Sequence, residues 1–187
     1  ILRKSGNEAV LEQARRMEQE LADTGIRVFL DDREQHRPGW KFNEYEVQGV
    51  PIRLALGPRD LENGVVELAR RDTGEKQSVA LDDLTTTIRE TLDAIQQGLF
   101  DRALAFRQEQ TRIADDYATF KSLIEEGGFV LMHWDGTAET ETQIKEETKA
   151  TIRCIPFGGQ FDGTDEPGTD PVSGQPSEGR VVFARAY

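Results

Sequence analysis

Residues 7–23, NEAVLEQARRMEQELAD, set Val10, Ala14, Met17 and Leu21 on one face and Glu, Gln and Arg on the other. That is the period of an amphipathic helix, and Gly25 supplies its stop. The next run, IRVFLDD (26–32), reads as a short buried strand ending in acidic residues. A helix that hands straight to a strand calls for an earlier strand beside it, and only Ile1 and Leu2 remain here to supply one. This order restricts the first part of the chain to an α/β arrangement. It also marks the sequence, which begins with Ile1, as a piece of a longer chain.

Further along, VQGVPIRLALGP (47–58) alternates Ile52, Leu54 and Leu56 against Arg53 and Ala55, the period of a strand. VVELARRDTGEKQSVAL (65–81) reads as a β-hairpin around Asp72-Thr73-Gly74-Glu75. Residues 1–81 are therefore expected to form an α/β domain, a mixed sheet with flanking helices and the hairpin at one edge. Residues 82–126 are polar and helical, in two or three segments broken near Gly98 and near Asp115–Asp116. They read as a connector. Residues 127–187 compose a small α+β domain, with strands at GFVLMHW (128–134), TIRCIPF (151–157) and GRVVFARAY (179–187) and a helix at ETETQIKEETKA (139–150).

Charge says where a polyanion would sit. The net charge of −12 argues against a nucleic-acid binder taken whole, but the distribution is uneven. Residues 1–80 carry 13 Lys+Arg and 15 Asp+Glu, a net of −2, while residues 81–187 carry 10 and 20, a net of −10. An RNA partner would meet the first half. No apolar run reaches the roughly 18 residues of a membrane span, and no signal peptide is expected. One cysteine, Cys154, excludes an internal disulfide and fits a reducing, cytoplasmic setting.

The densest segment is DDREQHRPGWKFNEYEVQGVPIRLALGPRD (31–60). It sets Trp40, Phe42 and Tyr45 among Lys41, Arg53 and Arg59, with Glu44, Glu46 and Asp60 between them. Aromatics beside charges of both signs suit single-stranded RNA, whose bases stack on rings and are read at their edges. A guanine offers N–H donors to a carboxylate, and its O6 and N7 accept from Arg or Lys. Taken singly, Trp40 and Phe42 fit a core equally well, and Arg53 a solvated strand.

PGWKFNEYEVQGVPIRLALGPRDLENG resembles the anticodon-binding domain of prolyl-tRNA synthetases. RRDTGEK, LFDRALAFRQEQT, IKEETKATIRCIPF and the terminal RVVFARAY fit the same family in the same order. The resemblance covers essentially the whole chain and matches the archaeal/eukaryote-like type with a C-terminal extension domain. It implies recognition of tRNA(Pro), a class II catalytic domain upstream that uses ATP and Mg²⁺ to ligate proline to tRNA, and a homodimer. No catalytic residue is expected in this fragment, and no DNA or membrane partner. By resemblance, Phe42 stacks an anticodon base, Glu46 and Asp60 read the two guanines of proline anticodons, Arg53 contacts the same bases, and Lys76 reaches the anticodon loop. Lys41 and Arg59 are candidate phosphate contacts, and Tyr45 is read as packing.

Many members of this family hold zinc with four cysteines in the C-terminal domain. The matching positions here are Asp135, Thr140, Asp170 and Ser173, so all four thiolates are missing. Two hydroxyls and two carboxylates are a poor tetrahedral donor set, and structural zinc is not expected. His133 and His36 stand alone. Cys154 lies outside that set and reads as a small buried hydrophobe. Tyr187 reads as a structural residue that, by resemblance, reaches toward the catalytic domain. A rival reading is a stand-alone tRNA- or RNA-binding accessory module of the same fold, which would be expected to encode its own first strand. A small α/β enzyme has no support, since no phosphate loop or nucleophile elbow occurs.

Overall fold

The computed structural model describes residues 7–159, 161 and 163–186. By its internal contacts the chain divides into two units, residues 1–100 and 101–187.

In the first unit, helix α1 (Glu8–Asp23) buries Val10, Met17 and Leu21, with Ala14 packed beside them. Thr24 and Gly25 end it: Gly25 sits at φ +83, and its N–H reaches back to the Ala22 carbonyl at 2.9 Å. Residues 26–32, expected as a strand, form none. A strand needs a ladder partner, and among the described residues this segment has none. Val28 and Phe29 are exposed instead, and the Leu30 N–H goes to the Glu18 carboxylate at 3.1 Å.

Helix α2 (Pro38–Val47) was not foreseen. Pro38 at its first position pre-sets the helical φ and holds Arg37 extended at ψ 150. Strand β1 (Ile52–Ala55), helix α3 (Pro58–Glu62) and the hairpin of β2 (Val65–Arg70) and β3 (Lys76–Ala80) follow. The sheet order is β1-β2-β3, antiparallel at both pairings. The mixed sheet expected in this unit is therefore antiparallel among the described residues. Alternation turns Ile52, Leu54, Val66, Leu68 and Val79 toward α1 and the start of α4 (Leu84–Glu109). The opposite face carries Arg53, Glu67 and Lys76.

Helix α4 runs through Gly98 without the expected break. One glycine costs a helix about 1 kcal/mol relative to alanine, too little to stop a helix of 26 residues.

The second unit holds β4 (Thr111–Ile113), α5 (Tyr117–Glu126), β5 (Phe129–His133), α6 (Ala138–Thr148), β6 (Ala150–Cys154), a short β7–β8 hairpin (Gly168–Thr169, Pro176–Ser177) and β9 (Arg180–Arg185). β4 lies in a stretch read from the sequence as wholly helical. The main sheet runs β4-β5-β9-β6, with β4 parallel to β5 and the other pairs antiparallel, so the parallel pairing lies here. The expected break at Asp115–Asp116 holds: the Asp116 carboxylate caps α5 by accepting from the Thr119 N–H at 2.9 Å. Phe120, Ile124, Val130, Met132, Ile144 and Phe183 fill the core, and the Phe120 and Phe183 rings meet edge to face at 5.1 Å.

Cys154 is exposed, not buried. It ends an edge strand whose pairing with β9 slips between Ile152 and Cys154. That irregularity turns the thiol outward. Tyr187 lies outside the described residues.

Candidate functional site

Helix α2 and the open sheet face bring three of the chosen residues together. Phe42, Tyr45, Glu46, Val50, Arg53, Ala69, Arg70 and Arg71 line one recess. The Arg53 guanidinium lies 3.6 Å from the centre of the Phe42 ring, a cation–π contact worth about 0.5–2 kcal/mol. Arg53 Nη1 is buried and has no hydrogen-bond partner among the described residues. Among the described residues its charge is compensated at 3.7 Å, by Glu67 Oε1. A covered Arg donor without a partner carries an unmet hydrogen bond, which an accepting base edge would satisfy once the recess opens to it.

Helix α2 is tied in place at both ends. At its C-terminal end Arg71 Nε donates to the Glu46 carbonyl at 2.8 Å, and the Arg71 N–H donates to the Pro51 carbonyl at 2.9 Å. Toward its start, Asp31 gathers Arg33 (2.8 Å), Lys41 (3.2 Å) and the Tyr45 hydroxyl (3.1 Å). Arg33 also pairs with Glu44 at 2.7 Å. The hydrogen bonds from Arg33 outweigh burial, and with Lys41 and Tyr45 they hold the Asp31 carboxyl well below the usual carboxylate range. Burial, and then the hydrogen bond it gives Asp31, pushes the Tyr45 phenol up. Tyr45 is thus a hydrogen-bonding anchor as well as packing. Its partners Asp31 and Arg33 carry no local sequence signal, because only the fold of 26–37 over α2 joins them.

The remaining chosen residues lie elsewhere. Asp60 does not line the recess; it caps α3, accepting from the Gly57 N–H at 2.8 Å. Lys76 reaches Glu67 Oε1 at 3.5 Å. Lys41 is engaged by Asp31, including its backbone carbonyl at 3.0 Å, while Arg59 is exposed. His36 stacks on Trp40 at 3.9 Å.

In the second unit, Asp135, Thr140, Asp170 and Ser173 do meet, as a hydrogen-bonded knuckle. Asp170 is fully buried. It accepts from the N–H groups of Asp135 (2.9 Å), Val172 (2.7 Å) and Ser173 (3.4 Å). The Asp135 carboxylate accepts from the Thr137 N–H (2.9 Å) and hydroxyl (2.8 Å) and from the Thr140 hydroxyl (2.9 Å). This set does not fit zinc: every carboxylate oxygen already accepts a hydrogen bond, and the other two donors are neutral hydroxyls. Gly168 passes against the His133 ring so closely that a Cβ there would overlap it.

The knuckle gives the second unit an acid-sensitive side. Burial, then the Arg180 charge, pushes the His133 imidazole below its ordinary 6.5. Burial would raise the Asp135 carboxyl, but the bonds from Thr137, Ser173 and Thr140 hold it at about 2. Both groups bind more protons unfolded than folded, so acid removes stability. The His133 contribution is complete above about pH 6.5 and fades below it; that of Asp135 is complete above about pH 4 and fades toward pH 2. The melting temperature of this unit is expected to be flat near pH 7–8 and to fall first below 6.5, then below 4. A melting temperature constant from pH 7 to pH 5 would rule out the His133 part.

Residues 1–91 match the family model described as anticodon binding domain, and residues 117–187 match the one described as prolyl-tRNA synthetase, C-terminal. The chain belongs to the prolyl-tRNA synthetase family. The proline–tRNA ligase of Chlorobium phaeobacteroides (strain BS1) is 52% identical over 98% of this chain and 39% of its own length. That of Porphyromonas gingivalis (strain W83) is 52% identical over 94% of the chain and 35% of its own length. That of Salinibacter ruber is 51% identical over 95% and 36%. The chain thus spans well under half the length of these relatives, and the match to the prolyl-tRNA synthetase family is to its C-terminal part.

Sequence reasoning about this synthetase segment missed Glu67 and Arg71. Alternation in VVELAR does put Glu67 on the face opposite Val66 and Leu68, but only the pairing of three strands shows which cations it meets.

Proposed function

We propose that the chain recognises the anticodon of tRNA(Pro) as the C-terminal part of a proline–tRNA ligase. The full protein would use ATP and Mg²⁺ in a class II catalytic domain, act as a homodimer and work in the cytoplasm. The fragment binds and does not catalyse. In this reading residues 1–81 form the anticodon-binding domain, 82–126 connect, and 127–187 form an extension held by hydrogen bonds in place of zinc. Among the described residues no helix is long and apolar enough to cross a membrane.

One observation carries the reading: Phe42, Glu46 and Arg53 line a single recess, with a buried Arg53 donor left open. In the proposed complex a guanine base enters beside Phe42. Its N–H groups donate to Glu46, and its O6 or N7 accepts from Arg53. Asp60, at the start of α3, reads the second guanine with the oxygen it does not use as a cap. Lys76 and Arg59 meet the loop or its phosphates.

A gel shift with a tRNA(Pro) transcript, and with one altered at the two anticodon guanines, tests this. The expected result is weakening of at least tenfold for the altered transcript, since one well-made base contact contributes about 1–3 kcal/mol of discrimination. Equal binding would overturn the assignment of Glu46, Arg53 and Asp60.

A further inference from the structure

On the open face of the first sheet, one carboxylate stands between two of the cations. Glu67 on β2 pairs in register with Ala55 and Ser78, which leaves it diagonal to Arg53 on β1 and Lys76 on β3. Its Oε1 lies 3.7 Å from Arg53 Nη1 and 3.5 Å from Lys76 Nζ. A single oxygen thus serves both. Neither distance is that of a short, fully formed hydrogen bond, so neither cation is fully saturated. The Arg53 side chain is only 16% exposed, whereas that of Lys76 is 54% exposed. For the half-exposed lysine the pairing is weak and easily exchanged. For the arginine, whose Nη1 has no hydrogen-bond partner among the described residues, Glu67 is the compensating charge.

We propose that Glu67 is a positioning residue for anticodon discrimination. It holds the Arg53 guanidinium over Phe42 and restrains Lys76, so that the two cations answer a guanine edge before they answer phosphate. The inference rests on the tRNA(Pro) reading above. The physical reason is competition. A free lysine or arginine on an open face binds phosphate on any RNA, adding affinity without sequence information. A carboxylate shared between two such cations lowers that general attraction. It leaves intact the directed donors of Arg53, whose planar fork matches O6 and N7 of guanine. Specificity gained by penalising wrong partners is a common use of a charge that contributes nothing to raw affinity.

The experiment uses the whole chain and the same two transcripts, tRNA(Pro) and its anticodon-altered form, over a series of salt concentrations. Glu67→Gln keeps the side chain's shape and removes its charge; Glu67→Asp keeps the charge. For the Gln variant, the ratio of affinities for the two transcripts is expected to fall on the order of tenfold, the scale of one base contact. Its salt dependence on the altered transcript should steepen by about one phosphate contact as Lys76 is released. The Asp variant should keep most of the parent's ratio. A Gln variant with the parent's ratio overturns the inference, whether both affinities rise, as simple relief of repulsion would give, or both fall, as a purely structural role would give. If the parent itself binds both transcripts equally, the tRNA reading fails and the inference fails with it. A discriminating parent beside a discriminating Gln variant sinks the inference alone.

Discussion

Asp170→Ala is expected to lower the stability of the second unit by about 3 kcal/mol or more. The carboxylate is fully buried and accepts three backbone N–H groups, from Asp135, Val172 and Ser173. Alanine leaves all three donors without it, and each buried donor left unpaired costs about 1–3 kcal/mol. In a unit of this size 1 kcal/mol shifts the melting temperature by roughly 4–8 °C, so the fall should exceed 10 °C. Thermal melts followed by near-ultraviolet circular dichroism would report it through Trp134, next to Asp135, whose indole N–H donates to the Thr137 carbonyl at 3.1 Å. Asp170→Asn should fall between, because an amide offers one acceptor where the carboxylate offers two. A chelator should leave the parent's melt unchanged. An alanine variant that melts within a degree or two of the parent would show that the knuckle is not what holds this corner.

Arg53→Ala is expected to weaken tRNA(Pro) binding by about 10- to 100-fold while the chain stays folded. It removes both the guanidinium over Phe42 and the open Nη1 donor, and a bidentate arginine contact to guanine contributes about 1–3 kcal/mol. Arg53→Lys separates charge from geometry. Lysine keeps the charge but loses the planar fork and the stacking face, so it should recover non-specific affinity and little of the discrimination. Full recovery by lysine would mean that Arg53 meets phosphate, not a base. Folding is checked independently, since the apolar face of the sheet, built from Ile52, Leu54, Val66, Leu68 and Val79, does not include Arg53.

How much of this was legible in the sequence depends on the range of the interaction. Helix α1, the β2–β3 hairpin and the strand at 129–133 follow from periods of 3.6 and 2 and from turn residues next to them in the chain. So does the break at Asp115–Asp116. The strand expected at 26–32 fails for a long-range reason. Its apolar residues have the right composition, but a strand exists only with a partner. Gly98 fails as a break because a local preference of about 1 kcal/mol yields to the rest of a long helix. Cys154 was assigned to the core by its neighbours, and a slip in pairing with β9 put it outside.

The candidate site divides along the same line. Residue types marked 31–60 as a cluster of rings and charges of both signs, and the family resemblance singled out Phe42, Glu46 and Arg53 within it. The resemblance likewise located the four positions of the knuckle, and the residue types there, Asp, Thr, Asp and Ser, argued against zinc. Tertiary structure decided what each then does. It stacked Arg53 on Phe42, engaged Lys41 with Asp31, and set Glu67 between two cations from different strands. Chemical identity is written residue by residue and can be read in order. Distances of about 3–4 Å between residues 9 to 35 positions apart are set only when strands pair and helices pack.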